Sequence, residues 1–277
     1  MRKICLLYFS MCSSDCIQSQ SLRKPIAASY IGLSAYSIRH TDVFSFSSNQ
    51  AALAQIKDAA FGVYGESRFL LAETNMYSAV VAMPTEHGNF GFQADYFGFK
   101  NFNESQLGVA YARSLGNKLD LGIKFNYYSL TIPGYQRSSA VNFEIGAIAH
   151  LTDKVHAGIH FYNPVGGYLS KTNSEKLTSI YKFGIGYEAS ENFLVSAEVV
   201  KTEDVPVNVI AGVQYNFEKQ FFARAGILTE NGSPYAGAGI IWDNLRVDVS
   251  ASYHPQLGIS PGLMLIVNFN SRKIENH

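Results

Sequence analysis

The sequence predicts an all-β protein: a transmembrane, antiparallel, up-and-down β-barrel of about fourteen strands with a short N-terminal helical plug. Three observations carry this prediction. Hydrophobicity alternates with period two along most of the chain, as where Leu119, Leu121, Ile123, Phe125 and Tyr127 oppose Asp120, Gly122, Lys124 and Asn126. The runs are joined by tight polar turns on one side and mostly longer loops on the other. Aromatic residues of the apolar face gather at the ends of the runs, where rings sit at lipid headgroup level.

Composition agrees. The 277 residues carry 22 basic and 22 acidic side chains, so net charge gives no case for nucleic-acid binding. Charged residues make up 16%, below the roughly 25% usual in soluble domains. No run approaches about 18 apolar residues, which excludes a helical membrane span.

Residues 1–21 read as a signal peptide: Arg2 and Lys3 are basic, Ile4 to Met11 are apolar, and Ser19-Gln20-Ser21 offers a small-x-small cleavage site. Cys5, Cys12 and Cys16 are the only cysteines, so nothing later offers a disulfide, a thiolate metal ligand or a thiol nucleophile. Met11 and Asp15 precede Cys12 and Cys16 where lipidation would need a small residue.

Residues 22–58 do not alternate and are expected to form a periplasmic plug segment. Asn49 is placed to cap a short helix starting at Gln50, in which Ala51, Ala52, Leu53 and Ile56 share one face. Hanging free, that face would gain little; inside a barrel mouth it is buried.

The barrel is expected over 59–270, followed by a tail, 271–277. Tight turns fall at 85–89, 116–118, 152–154, 190–192, 217–220 and 242–244, and the longest loops at 67–75, 130–138 and 163–179. The weakest strands lie near 59–67, 76–83 and 234–242. Tyr111, Tyr187, Tyr215, Trp242 and Phe269 end runs toward the short turns; Tyr96, Tyr127, Phe161 and Tyr253 end runs toward the long loops. A soluble sandwich, the alternative architecture, gives no reason for this segregation. An even strand number puts both chain ends on the short-turn side.

The opposite face is polar. Asp120, Lys124, Glu144, Lys182, Glu198, Arg224, Arg246 and Asp248 are its main charged residues, and Gly or Ala fills many positions between them. Mixed signs fit a hydrated, cross-paired lumen wall and single out no ring of charge. His156 and His160 share this face but stand about 13 Å apart at strand rise, too far for one metal ion. There is no H-E-x-x-H, and the chain is expected to be no enzyme and to carry no cofactor. Phe97, Tyr128, Tyr162 and Phe222 also point inward, where they can wall an apolar pocket or pack the plug.

Asp42, followed seven residues later by Asn49-Gln50-Ala51-Ala52-Leu53 and then by the first strand, resembles the D…N-P-A-A-L segment that opens the mature FadL-like outer-membrane barrels. NFGFQADYFGF (89–99) and SQLGVAYARSLGNKLDLGIKFNYYS (105–129) are similar to the PorV/PorQ branch, associated with type IX secretion in Bacteroidetes. Gln50 stands where the family has Pro. The resemblance implies a fourteen-stranded barrel in the outer membrane of a Gram-negative bacterium, plugged from the periplasm by a segment including Asp42, Asn49, Ala51, Ala52 and Leu53. It also implies a non-enzymatic docking component of a protein secretion or surface-attachment system, with other outer-membrane or secreted proteins as partners beside the lipid bilayer. Short loops, and a longest loop that is polar and Gly-rich, favour this role, with Pro133, Tyr135, Pro164 and Tyr168 as candidate contact residues. The alternative is FadL-like transport of a small hydrophobic molecule.

Overall fold

The computed structural model describes residues 32–134, 137–166, 177–218, 220–229 and 232–269. The expected leader (1–21), residues 22–31 of the expected plug, the loop residues Tyr135 and Tyr168, and the tail lie outside them. Fourteen antiparallel strands form one closed barrel. They are β1 (Ala60–Ser67), β2 (Asn75–Thr85), β3 (Gly88–Gly98), β4 (Asn103–Leu115), β5 (Leu119–Thr131), β6 (Ser138–His150) and β7 (Val155–Tyr162), then β8 (Ile180–Glu188), β9 (Phe193–Thr202), β10 (Asn208–Phe217), β11 (Phe221–Leu228), β12 (Ser233–Trp242), β13 (Leu245–His254) and β14 (Gly258–Asn268). Each pairs with its sequence neighbours, and β1 closes on β14 from Ala60↔Asn268 to Glu66↔Gly262. Closure leaves no sheet edge, the only way a β-structure satisfies its backbone groups in lipid.

The alternating pattern sorts onto two faces. On β5, Phe125 is 56% exposed, while its neighbours Lys124 and Asn126 are 2% and 1% exposed. Charged residues are therefore inside and apolar ones outside, an arrangement that is stable only where the outer surface meets lipid. Aromatic contacts reinforce both rims: Phe161 meets Tyr181 edge-on at 5.8 Å toward the long loops, and Tyr215 packs on Phe217 at 4.6 Å toward the short turns. Short turns close with residues in the left-handed region, as at Gly116 (φ 67°) and Asp243 (φ 55°). The two ends differ less than the sequence suggests. The far end carries 68–74, 132–137 and 163–179, but also a turn as tight as 255–257.

The lumen is filled. Residues 32–58 thread it near the short turns as three 3-10 segments, Gly32–Tyr36, Ser45–Ser47 and Gln50–Gln55. The last is the expected helix with its expected cap: Asn49 is extended, and its side chain accepts from the Ala51 N–H at 3.1 Å. Six residues close too few bonds for a stable α-turn, and the tighter i→i+3 pattern is the usual form of such short pieces. Phe46, Leu53 and Ile56 pack against Val80, Ala82, Ala110, Ala112 and Ile266 of the wall; full burial of one such Leu or Phe is worth about 1.5–3 kcal/mol. Toward the long loops, Met76, Phe97, Tyr128, Tyr162, Leu177 and Ile180 form a second apolar cluster inside the barrel.

Candidate functional site

The eight inward charges fall into four groups, and each group holds the plug. On β5, Asp120 accepts from Gln55 Nε2 at 2.6 Å and meets His150 Nε2 at 2.9 Å. Lys124 and Glu144 pair at 3.3 Å across β5 and β6, and Glu144 accepts from Gln50 Nε2. Lys182 and Glu198 pair at 3.2 Å across β8 and β9, and Glu198 accepts from the Tyr36 hydroxyl at 2.6 Å. Arg246 donates to both oxygens of Asp248 (2.9 and 2.7 Å) and to Asp42 Oδ2 at 3.1 Å. The wall charges thus do more than brace strands; they form the polar seat of the plug.

Asn49 is fixed twice, capping its helix and donating from Nδ2 to the Ile159 carbonyl at 3.1 Å. Asp42 Oδ1 accepts from the Phe44 N–H at 2.9 Å, so its other oxygen faces the arginines. Ala51, Ala52 and Leu53 are fully buried. Three plug residues that the sequence reading did not single out also bind the wall. Ser37 Oγ and the Ile38 N–H both donate to Glu188 Oε1 at 2.7 Å. His40 Nδ1 faces Gln214 Nε2 at 3.1 Å and Asn216 Nδ2 at 3.3 Å, so it accepts in the neutral ring. Burial lowers the His40 pKa from its ordinary 6.5, which favours that neutral form. Burial and the adjacent Glu198 raise the Tyr36 hydroxyl well above its ordinary value, so it remains a donor.

A signal for this seat was present in the sequence as the inward glycines. A side chain at Gly122 would strike the Gln50 backbone, one at Gly146 the Asn49 amide, and one at Gly184 or Gly186 would strike Tyr36. These glycines carve the groove in which the plug lies.

The histidines meet differently from their spacing. His150 and His156 face each other across β6 and β7 with Nδ1 atoms 2.9 Å apart, while His160 joins Glu144 at 3.0 Å. Among the described residues no cluster of three His, Cys, Asp or Glu is arranged to hold a metal ion. Of the loop candidates, Pro133 is exposed and Pro164 half-buried.

One side of the lumen is less tightly closed. A small cavity lies against β1 and β11–β14. Tyr64, Tyr235 and Met264 wall it, Ser250 and Ser252 edge it, and Arg224 and Asp248 lie at its polar end. Phe222 is held there beneath both arginines, 4.9 Å from the Arg224 guanidinium and 4.3 Å from that of Arg246.

A closed fourteen-stranded barrel with an apolar exterior and an N-terminal plug is an architecture shared with several solved structures. The Pseudomonas aeruginosa FadL homologue matches with a TM-score of 0.63 at 10% identity, over 87% of this chain and 98% of that one. The Ralstonia pickettii toluene transporter TbuX matches at 0.62 and 9% identity, over 83% and 94%. The P. putida toluene transporter TodX matches at 0.58 and 11% identity, over 84% and 95%. At such identities the likeness is one of fold. No protein-family model and no curated protein sequence matches the chain.

Proposed function

We propose that the protein is an outer-membrane channel of a Gram-negative bacterium, carrying a small hydrophobic molecule inward as FadL-like barrels do. The observation that carries this reading is the cavity inside the wall at β1 and β11–β14. Its Tyr64, Tyr235 and Met264 walls suit an apolar solute. Apolar concavities with a few convergent polar groups are the usual form of small-molecule sites. The similarity in fold to two toluene transporters supports the same reading. Exposed Pro133 and half-buried Pro164 give the docking role implied by the resemblance no comparable support.

The test is uptake. Cells lacking their own FadL-like barrels, with this chain expressed and folded in the outer membrane, should take up labelled toluene or ethylbenzene several-fold faster than cells with an empty vector. Equal rates for every single-ring and acyl-chain solute tried would remove the transport reading.

A further inference from the structure

The loop between β1 and β2 turns over the rim of the barrel in a strained conformation. Arg68 is held inside: its side chain is buried, pairs with Glu66 at 3.4 Å and lies 5.1 Å from the Phe97 ring. The next two residues, Phe69 (φ 56°) and Leu70 (φ 57°), are both in the left-handed region, which is unfavourable for bulky side chains. Neighbouring groups hold them there. The Phe69 N–H donates to Ser260 Oγ at 3.0 Å, and its ring meets His254 edge-on at 5.8 Å. Thr74 Oγ1 donates to the Arg68 and Leu71 carbonyls at 2.6 and 3.0 Å.

The turn presents apolar surface. Leu70 and Leu71 are 67% and 51% exposed, and the adjoining β13–β14 turn adds exposed Leu257. In water, three exposed leucines contribute nothing that offsets a strained turn; out of water, they do. The crest is also continuous with the lipid-facing wall, because Tyr77, Tyr253 and Ile259 face outward beneath it.

Height indicates what covers it. Tyr253 belongs to the aromatic ring at headgroup level, and Leu257 follows four residues later, across a turn that reverses the chain. The Ser260 bond ties Phe69 beside the Tyr253↔Ile259 pair. A tilted strand climbs about 2.5 Å per residue, and the headgroup layer is about 5–8 Å deep on each side of the bilayer. The crest therefore stays within that layer. Pro133, six residues beyond Tyr127 on the β5–β6 loop, reaches past it.

We propose that Leu70, Leu71 and Leu257 form an interfacial anchor, seated among the lipid headgroups of the leaflet on the long-loop side, with the leucine side chains reaching down to the first acyl carbons. The anchor rests on the lipid-facing wall and not on the transport reading, so either can fail alone.

The experiment is tryptophan quenching in the full chain. Trp242 is the only tryptophan, so Trp242→Phe gives a silent background for single probes. These are Leu70→Trp, Leu71→Trp, Phe125→Trp in the middle of the wall and Pro133→Trp on the higher loop. Leu71→Trp is the second variant, free of the left-handed backbone at Leu70. Each is refolded into phosphatidylcholine vesicles, with heat-modified gel mobility showing that the barrel has formed. Quenching is then measured with acrylamide in the water and with phosphatidylcholine brominated near the headgroup or at mid-chain. Leu70→Trp and Leu71→Trp should be several-fold less open to acrylamide than Pro133→Trp, and quenched most by bromine near the headgroup. Phe125→Trp should be quenched most by mid-chain bromine. If Leu70→Trp and Leu71→Trp are as open to acrylamide as Pro133→Trp and indifferent to brominated lipid, the anchor is overturned and a protein becomes the occupant to seek. Quenching chiefly by mid-chain bromine would overturn the interfacial placement, since it would set the crest within the hydrocarbon.

Discussion

At the scale of the residue, the plug is held by side chains whose protonation and shape matter individually. Neutral His40 accepts at Nδ1 from Gln214 and Asn216, and protonation would turn that acceptor into a third donor. Because burial depresses its pKa in the folded state, its stabilising contribution is complete above the unfolded value of 6.5 and is lost as pH falls below that through the folded value. Protease protection of residues 32–58 should therefore weaken on acidification below about pH 6.5, and His40→Asn should flatten that dependence; a pH profile unchanged by the substitution would remove His40 from the account. Gly184 sets a steric limit instead. Gly184→Val would drive a side chain into the Tyr36 ring, and overpacking of this kind costs about 1–3 kcal/mol. The barrel should still form, because Val suits a strand, but its plug should be cleaved readily.

At the scale of the element, the plug is a short segment with little regular structure that owes its order to the wall. Its three 3-10 pieces are too short to persist alone. Asn49 and Asp42 fix its middle stretch to β6–β7 and to β11 and β13 respectively. Asn49→Ala removes a cap worth about 1 kcal/mol and leaves the Ile159 carbonyl without its donor. Asp42→Ala should be more severe, about 3–5 kcal/mol, because two buried arginines then share only Asp248. Urea titration followed by limited proteolysis should find the plug released first in Asp42→Ala, then in Asn49→Ala, with the barrel strands still protected in both. Release in the opposite order would mean that the capped helix, not the ionic clasp, is the principal anchor.

At the scale of the whole molecule, the two faces of the wall meet different solvents and should respond differently to the same change. Phe125 lies mid-strand on the outer face at 56% exposure. Phe125→Arg should destabilise the barrel by about 2–4 kcal/mol, and Phe217→Arg at the short-turn rim by about 0–1 kcal/mol. Heat-modified gel mobility after refolding into lipid measures the difference. Equal costs at the two depths would contradict a lipid-facing surface. The occupied lumen also bears on the proposed transport: apolar clusters occupy both halves, and Tyr64 and Met264 of one of them also line the cavity. A solute path through the barrel would therefore require the plug or the neighbouring side chains to shift.

The sequence by itself determined the architecture, because strand alternation is a local rule: each residue of 118–128 declares its face through its immediate neighbours. Strand number, closure, the inside–outside sorting and the cap at Asn49 were all legible for that reason. The inward charges were legible as inward, but their partners were not. Asp120 meets Gln55, Glu198 meets Tyr36 and Asp42 meets Arg246 across separations of 65, 162 and 204 residues. Such pairings depend on strand register and on where the plug comes to rest, and no local pattern encodes either. The inward glycines marked the seat but not its occupant. The cavity was least visible of all, since it exists only where the side chains of five neighbouring strands fail to fill the space between them.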